Sequence, residues 1–183
     1  GGPSLGIIGC RGENLILQMP GRLVGMTTTV DGKDRAFSMV LQTREQHIRR
    51  ERATSNICTN EALLAVGAAV YLSLLGPSGL RQLFQTIFTR TSYAIKRLGE
   101  ISQLTVPRFA SPHYQEFVVS YKGAKGTVAK LHKQLLGQGV QAGKSLVKEF
   151  AELGESSLLC VTEMHSPEAI DRLRLLMGKF VEL

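Results

Sequence analysis

The sequence predicts a mixed α/β protein whose C-terminal part is an α+β layer, and three features carry that reading. A strand–turn–strand pattern fills the first forty residues, two long helical stretches follow, and strands then alternate with helices to the end. Alternation within so short a span favours helices packed on one sheet face. At 183 residues the chain is long enough to bury a real core, as one domain or as two small ones.

The first strands are "RLVGMTTTV" and "RAFSMVLQT", separated by "DGKD". Asp31-Gly32 marks the hairpin, because a type I′ turn needs positive φ and glycine supplies it without steric cost. Phe37, Met39 and Leu41 alternate with polar residues, the pattern of a half-buried strand. Further on, "NEALLAVGAAVYLSLLGPSG" reads as a helix capped by Thr59 or Asn60, with Glu61 in its first turn and Gly76-Pro77 at its end. Apolar on every face and rich in Ala and Gly, it is expected to be buried against close backbone neighbours. The next helix is amphipathic: Leu80, Leu83, Phe84, Ile87, Phe88, Ile95 and Leu98 form one stripe.

Prolines in "TVPRFASPHYQ" break the helical pattern, which sets an expected domain boundary: residues 1–105, then 106–183. The second part reads as strand "EFVVSY", helix from Thr127 to about Leu136, a short segment "GVQAGKSL", strand "SLLCVTEM" and a last helix. Ser166-Pro167-Glu168 supplies that helix with a cap, a proline at its first position and an acid in its first turn.

Composition excludes some classes. Apolar residues make up 43% and charged residues 20%, ordinary for a soluble globular protein. The net charge of +7 and pI near 9.6 permit an anionic partner without requiring one. Cys10, Cys58 and Cys160 are widely spaced and form no C-x-x-C, against a disulfide framework or structural zinc and in favour of a reducing, cytoplasmic setting. No basic leader precedes the first apolar residues, and the apolar run Ala62–Leu75 is too short for a membrane span, so no membrane partner is expected. The initial Gly-Gly-Pro fits either a tag scar or a chain that starts inside a larger protein.

Chemistry concentrates in Thr43–Thr59, "TREQHIRRERATSNICT", with four arginines, two glutamates, a histidine and a cysteine. It contains no aromatic residue on which a base would stack, and Glu45 and Glu51 offset half of the arginine charge. A basic nucleic-acid-binding module is therefore the alternative reading, and an interface of paired charges the better one, arginine being suited to bidentate carboxylate pairing. Cys58 ahead of a helix admits a thiol enzyme, with His47 as base, or simply a small core residue. His113, His132 and His165 share no metal-ligand spacing and are read as structural or surface groups. "KGAKGT" lacks the spacing of a phosphate loop. No catalytic residue and no metal site is assigned.

"GGPSLG", "MPGRLVG" (Met19–Gly25) and "LQTREQHIRRERATSNICT" (Leu41–Thr59), in that order and before an alanine-rich helix, resemble one family: the first subunit of the two-subunit decarboxylating glycine dehydrogenase, the P-protein of the glycine cleavage system. The long motif carries the resemblance, which continues more loosely through the Ala62–Leu98 helices. Only the general pattern supports it beyond Pro107. The resemblance implies the C-terminal two-fifths of a pyridoxal-phosphate (PLP) enzyme of fold type I, the aspartate-aminotransferase-like fold. Residues 1–105 are then the end of the large cofactor domain with its connecting helices, and 106–183 the small domain. Gly1-Gly2 then belongs to the family motif.

Such an enzyme decarboxylates glycine and passes the aminomethyl group to the lipoyl arm of the H-protein. In its α2β2 form, glycine dehydrogenase subunit 2 holds the cofactor on its lysine, and the first subunit completes the site across the interface. For this chain the resemblance implies Thr54, Ser55, Asn56, Cys58 and Thr59 near the cofactor phosphate in trans, where hydroxyls and N–H groups opening a helix suit an anion. Arg44, His47, Arg49 and Arg50 are expected at the interface, and the chain alone is expected to be inactive.

Overall fold

The computed structural model describes residues 5–19, 21–41, 43, 45–53, 61–122 and 126–181. It contains α1 (Glu13–Ile16), β1 (Leu23–Thr28), β2 (Arg35–Val40), α2 (Gln46–Arg49), α3 (Ala62–Gly99), β3 (Leu104–Thr105), β4 (Glu116–Tyr121), α4 (Thr127–Leu136), β5 (Lys144–Ser145), β6 (Ser156–Cys160) and α5 (Pro167–Val181). Two compact units divide within α3, at Ser73/Leu74, ahead of the proline break at which the sequence suggests a boundary.

In the unit Gly2–Ser73, β1 and β2 form the expected antiparallel hairpin, with Leu23 opposite Val40 and Thr28 opposite Arg35. Its turn differs from expectation. Thr29 N–H donates to the Asp34 carbonyl at 2.9 Å and the Thr29 hydroxyl donates to Asp31 Oδ1 at 2.5 Å, so a longer loop closes the strands. Gly32 alone in this loop takes positive φ, at 70°, whereas a type I′ turn needs two such residues. The strand faces are also open: Phe37 is 68% and Met39 51% exposed, and the half-buried alternation does not appear in this chain.

The same correction applies to the start of α3. Leu63 is 83% exposed and Leu74 81%, so this apolar stretch is not buried by the described residues. Gly76, with φ 60° and ψ −177°, interrupts the helix just before Pro77, as the sequence predicts. Among the described residues α3 is the one helix long and apolar enough to cross a membrane by length and composition. Its uninterrupted apolar portion, Ala62–Leu75, extends roughly 21 Å at ~1.5 Å per residue, short of a hydrocarbon layer of ~30 Å.

Within the unit Leu74–Leu183, the sheet order is β3-β4-β6-β5, antiparallel throughout. β4, α4 and α5 begin where the sequence places them. The Ser166 side chain caps α5, its Oγ accepting the Ala169 N–H at 3.2 Å. Leu98, Val119, Leu131, Leu135 and Met177 are fully buried and join the later part of α3, the sheet, α4 and α5 in one core. The buried stripe of α3 is Ile87, Thr91, Ala94 and Leu98. It is rotated from the predicted one because Phe84 and Phe88 turn outward, and Phe84 stacks on Tyr114 at 4.7 Å.

Candidate functional site

Around the arginine-rich stretch, α2 is a single turn whose first bonds run from the Ile48 and Arg49 N–H groups to the Glu45 carbonyl, at 3.1 and 2.8 Å. A 3-10 turn, Arg50–Arg52, follows, and Arg50 is held at φ 52°, a conformation a branched-free but bulky side chain rarely adopts. The result is a tight reversal that turns His47, Arg49 and Arg50 outward; all three are exposed. Among the described residues the one ion pair of this stretch joins neighbours Glu51 and Arg52 at 4.0 Å, both side chains well exposed. Such a contact contributes little. Arg44, Thr54, Ser55, Asn56, Cys58 and Thr59 lie outside the described residues.

His47 reaches a shallow pocket of about 200 Å³ with Arg22, Leu23, Met39, Val40 and Glu45. Its volume is below the ~300–1,000 Å³ usual for cofactor clefts. Glu45 opposes an anionic group, and none of the lining residues is a lysine. Between Gly1 and Ile95 the sequence has a single lysine, Lys33, exposed in the β1–β2 loop. The described residues therefore do not fit a self-contained PLP site.

Polar groups in the C-terminal unit serve its architecture. Glu155 accepts the N–H groups of Gly126 and Val128 at 2.7 and 2.9 Å, covering the N-terminal end of α4 with a carboxylate. His132 sits 3.0 Å from the fully buried Ser157 hydroxyl through Nε2, while its ring also bonds the Ala142 carbonyl. Nδ1 is thus the donor, and neutral Nε2 accepts from Ser157. Burial holds His132 below its ordinary pKa. Tyr121 is buried beside this cluster, and burial pushes its phenol up to about 12. His165 Nδ1 accepts the Thr162 N–H at 3.0 Å, fixing the loop before α5. The Glu155 and His132 contacts were not legible in the sequence, since each joins residues from separate elements.

With this geometry described, the class is a mixed α/β protein whose described residues hold no complete active site. A sequence profile of the family "Glycine cleavage system P-protein" matches residues 1–176. The chain belongs to the glycine cleavage system P-protein family. It is 48% identical over its whole length to "Probable glycine dehydrogenase (decarboxylating) subunit 1" of Staphylothermus marinus, covering 38% of that protein. A protein of the same name from Thermococcus onnurineus is 47% identical over 94% of this chain, which covers 37% of it.

A solved structure titled "Crystal structure of glycine decarboxylase (P-protein) of the glycine cleavage system, in inhibitor-bound form" matches 92% of this chain at 31% identity, with a TM-score of 0.79. This chain covers 37% of that one. The chain thus spans under two-fifths of the length of the relatives it matches. The family is PLP-dependent in general. The nucleic-acid alternative gains no support from these likenesses.

Proposed function

We propose that this chain is the C-terminal part of the lysine-free subunit of glycine decarboxylase, the P-protein, acting in the cytoplasm within an α2β2 assembly with glycine dehydrogenase subunit 2. The observation that carries the reading is 48% identity across the whole chain to a relative named as subunit 1 of that enzyme. Lack of a lysine in the His47 pocket supports it from the chemistry. In the assembled enzyme the partner subunit holds PLP covalently, and the cofactor supplies the electron sink for glycine decarboxylation. The aminomethyl product passes to the lipoyl arm of the H-protein. This chain binds and orients: Thr54, Ser55, Asn56, Cys58 and Thr59 face the cofactor phosphate in trans, and Arg44, His47, Arg49 and Arg50 hold the interface. No membrane and no nucleic acid takes part.

The start of α3 supports an assembled state, since Leu63, Val66 and Val70 fall on one side of the helix and are each more than half exposed. Co-purification with a tagged, lysine-bearing second subunit tests the proposal. Retention of a complete first subunit carrying these residues, at low and moderate salt, is the expected result. Loss of that complete subunit at both salts contradicts it. In the same complex, Asn56→Ala or Thr59→Ala is expected to weaken PLP retention by the partner; unchanged retention removes those residues from the site.

A further inference from the structure

Residues 138–146 carry the chain from the end of α4 to the edge of the sheet, and both ends of this segment are tied. Gly139 and Val140 N–H donate to the Leu136 and Leu135 carbonyls, each at 2.9 Å, and the Gln138 carbonyl accepts from Arg172 at 2.8 Å. Lys144 and Ser145 pair with β6, and Leu146 N–H donates to the Ser156 carbonyl at 2.9 Å. Between these ties, residues 141–143 make no backbone hydrogen bond outside the strand ladder among the described residues. Two things hold them: the buried Ala142 side chain, and the His132 ring bonded to the Ala142 carbonyl.

His132 therefore joins α4 to β6 and to this segment at one point, and the arrangement suits the neutral ring. Nδ1–H donates to Ala142, and Nε2 accepts from the fully buried Ser157 hydroxyl at 3.0 Å. A proton added at Nε2 removes the acceptor of Ser157 and puts a charge where burial disfavours it. No charged side chain contributes to the ring's titration among the described residues. On α4, Lys130 and Lys133 are exposed and of the same sign as the imidazolium. Lys144 on β5 pairs with Glu149 at 2.8 Å, and Glu155 before β6 accepts the Gly126 and Val128 N–H groups. On α5, Asp171 is held by Arg97 and Glu168 by the Ser166 side chain. The Tyr121 phenol on β4, pushed up to about 12, stays neutral. His132 itself is only half-buried, so rotation of its side chain brings the ring to water.

We infer that His132 is a proton-operated latch: neutral, it pins residues 141–143 against α4 and β6, and on taking up a proton it turns to solvent and lets that segment open while the rest of the sheet stays paired. Loss of the ring removes the donor to the Ala142 carbonyl, which then needs water, and the segment has no second backbone tie to resist. The latch is shut above pH 6.5 and opens as pH falls through the lowered folded-state value of the ring. Residues 139–144 form one wall of a groove of about 920 Å³ beside β6 and α5, so the proton controls the shape of that groove. The inference rests on the geometry of the C-terminal unit and on no part of the cofactor reading.

The Ala142 methyl group, buried in the shut state, reports the opening. Its relaxation by a neutral, soluble gadolinium chelate is read by NMR in the 183-residue chain from pH 7.5 to pH 5, with the fully buried Val119 methyls as reference and the His132 ring signals followed in the same samples. Relaxation of the Ala142 methyl is expected to rise by at least about twofold, with the midpoint of the ring titration, while Val119 is unchanged. In His132→Asn, which cannot take up the proton, the Ala142 signal is expected to be flat. A ring that charges while Ala142 stays protected overturns the latch, because the imidazolium is then accommodated in place. A parallel rise at Val119 overturns it by showing loss of the whole unit. A rise in His132→Asn equal to that of the parent assigns the opening to another group. Should that variant fail to fold, coincidence of the Ala142 and His132 midpoints in the parent decides: separate midpoints overturn the inference.

Discussion

Arg97 Nε lies 2.6 Å from Asp171 Oδ1, and the same carboxylate sits 2.9 Å from the Tyr93 hydroxyl through each of its oxygens. Arg97 Nη1 also reaches Glu100 at 2.7 Å, and Glu100 lies 3.4 Å from Arg174 Nε. Four charged side chains and a tyrosine thus bind the end of α3 to α5 above the core. Pairing with Arg97, then with Tyr93, holds the Asp171 carboxyl below its ordinary value of 3.8. Its contribution is present above pH 3.8 and is lost as pH falls through the lowered folded-state value.

Asp171→Asn is therefore expected to lower the thermal midpoint of the C-terminal unit by a few degrees at neutral pH and by less at pH 3. Thermal unfolding followed by circular dichroism at both pH values measures this. An equal loss at the two would mean that packing, not charge, is what the substitution removes.

His132 titrates in the opposite sense. Its folded-state pKa is depressed below 6.5 by burial, so the stabilisation is whole above pH 6.5 and declines as pH falls below it. Protonation turns Nε2 into a donor and ends its acceptance from Ser157. Urea midpoints between pH 7.5 and pH 5.5 are expected to fall in the parent chain. They are expected to fall less in His132→Asn, which cannot take up the proton.

Gly143→Ala inserts a methyl group 2.2 Å from the Leu158 carbonyl at a φ unfavourable to L side chains. Backbone blocks the relief, so the cost is expected to be on the order of 3 kcal/mol or more. Gly178→Ala, where a Cβ meets nothing within 4 Å, is the matched control and is expected to be neutral or slightly stabilising. Denaturant unfolding of the two variants separates the cases.

Glu155→Ala removes the acceptor of two N–H groups at the start of α4. Capping losses of this kind cost ~1 kcal/mol. Hydrogen exchange is expected to quicken across residues 126–131, with β4 amides unaffected.

Local signals were read well where one short stretch carries the whole cause. Ser166-Pro167-Glu168 starts a helix because cap, fixed φ and first-turn acid act within three residues. Gly76-Pro77 stops one in the same way. The two-residue strands β3 and β5 escape such reading, since nothing inside them differs from a loop and only their partners on β4 and β6 define them. Burial was the least legible property. The Ala62–Leu75 face and Phe37 are apolar in sequence and exposed in the chain, because what covers a face is not written in the face itself. Family membership was legible from the Leu41–Thr59 motif. The site residues proposed within that motif were not legible from the chain's own physics, which could assign them no chemistry.

The most direct test of the central claim is glycine–bicarbonate exchange. It uses a complete first subunit carrying these residues, the lysine-bearing second subunit and lipoylated H-protein. Exchange is expected only when both subunits are present, and none from the 183-residue chain with the H-protein. Full exchange by the second subunit without the first would contradict it, as would a saturated pair that is inactive.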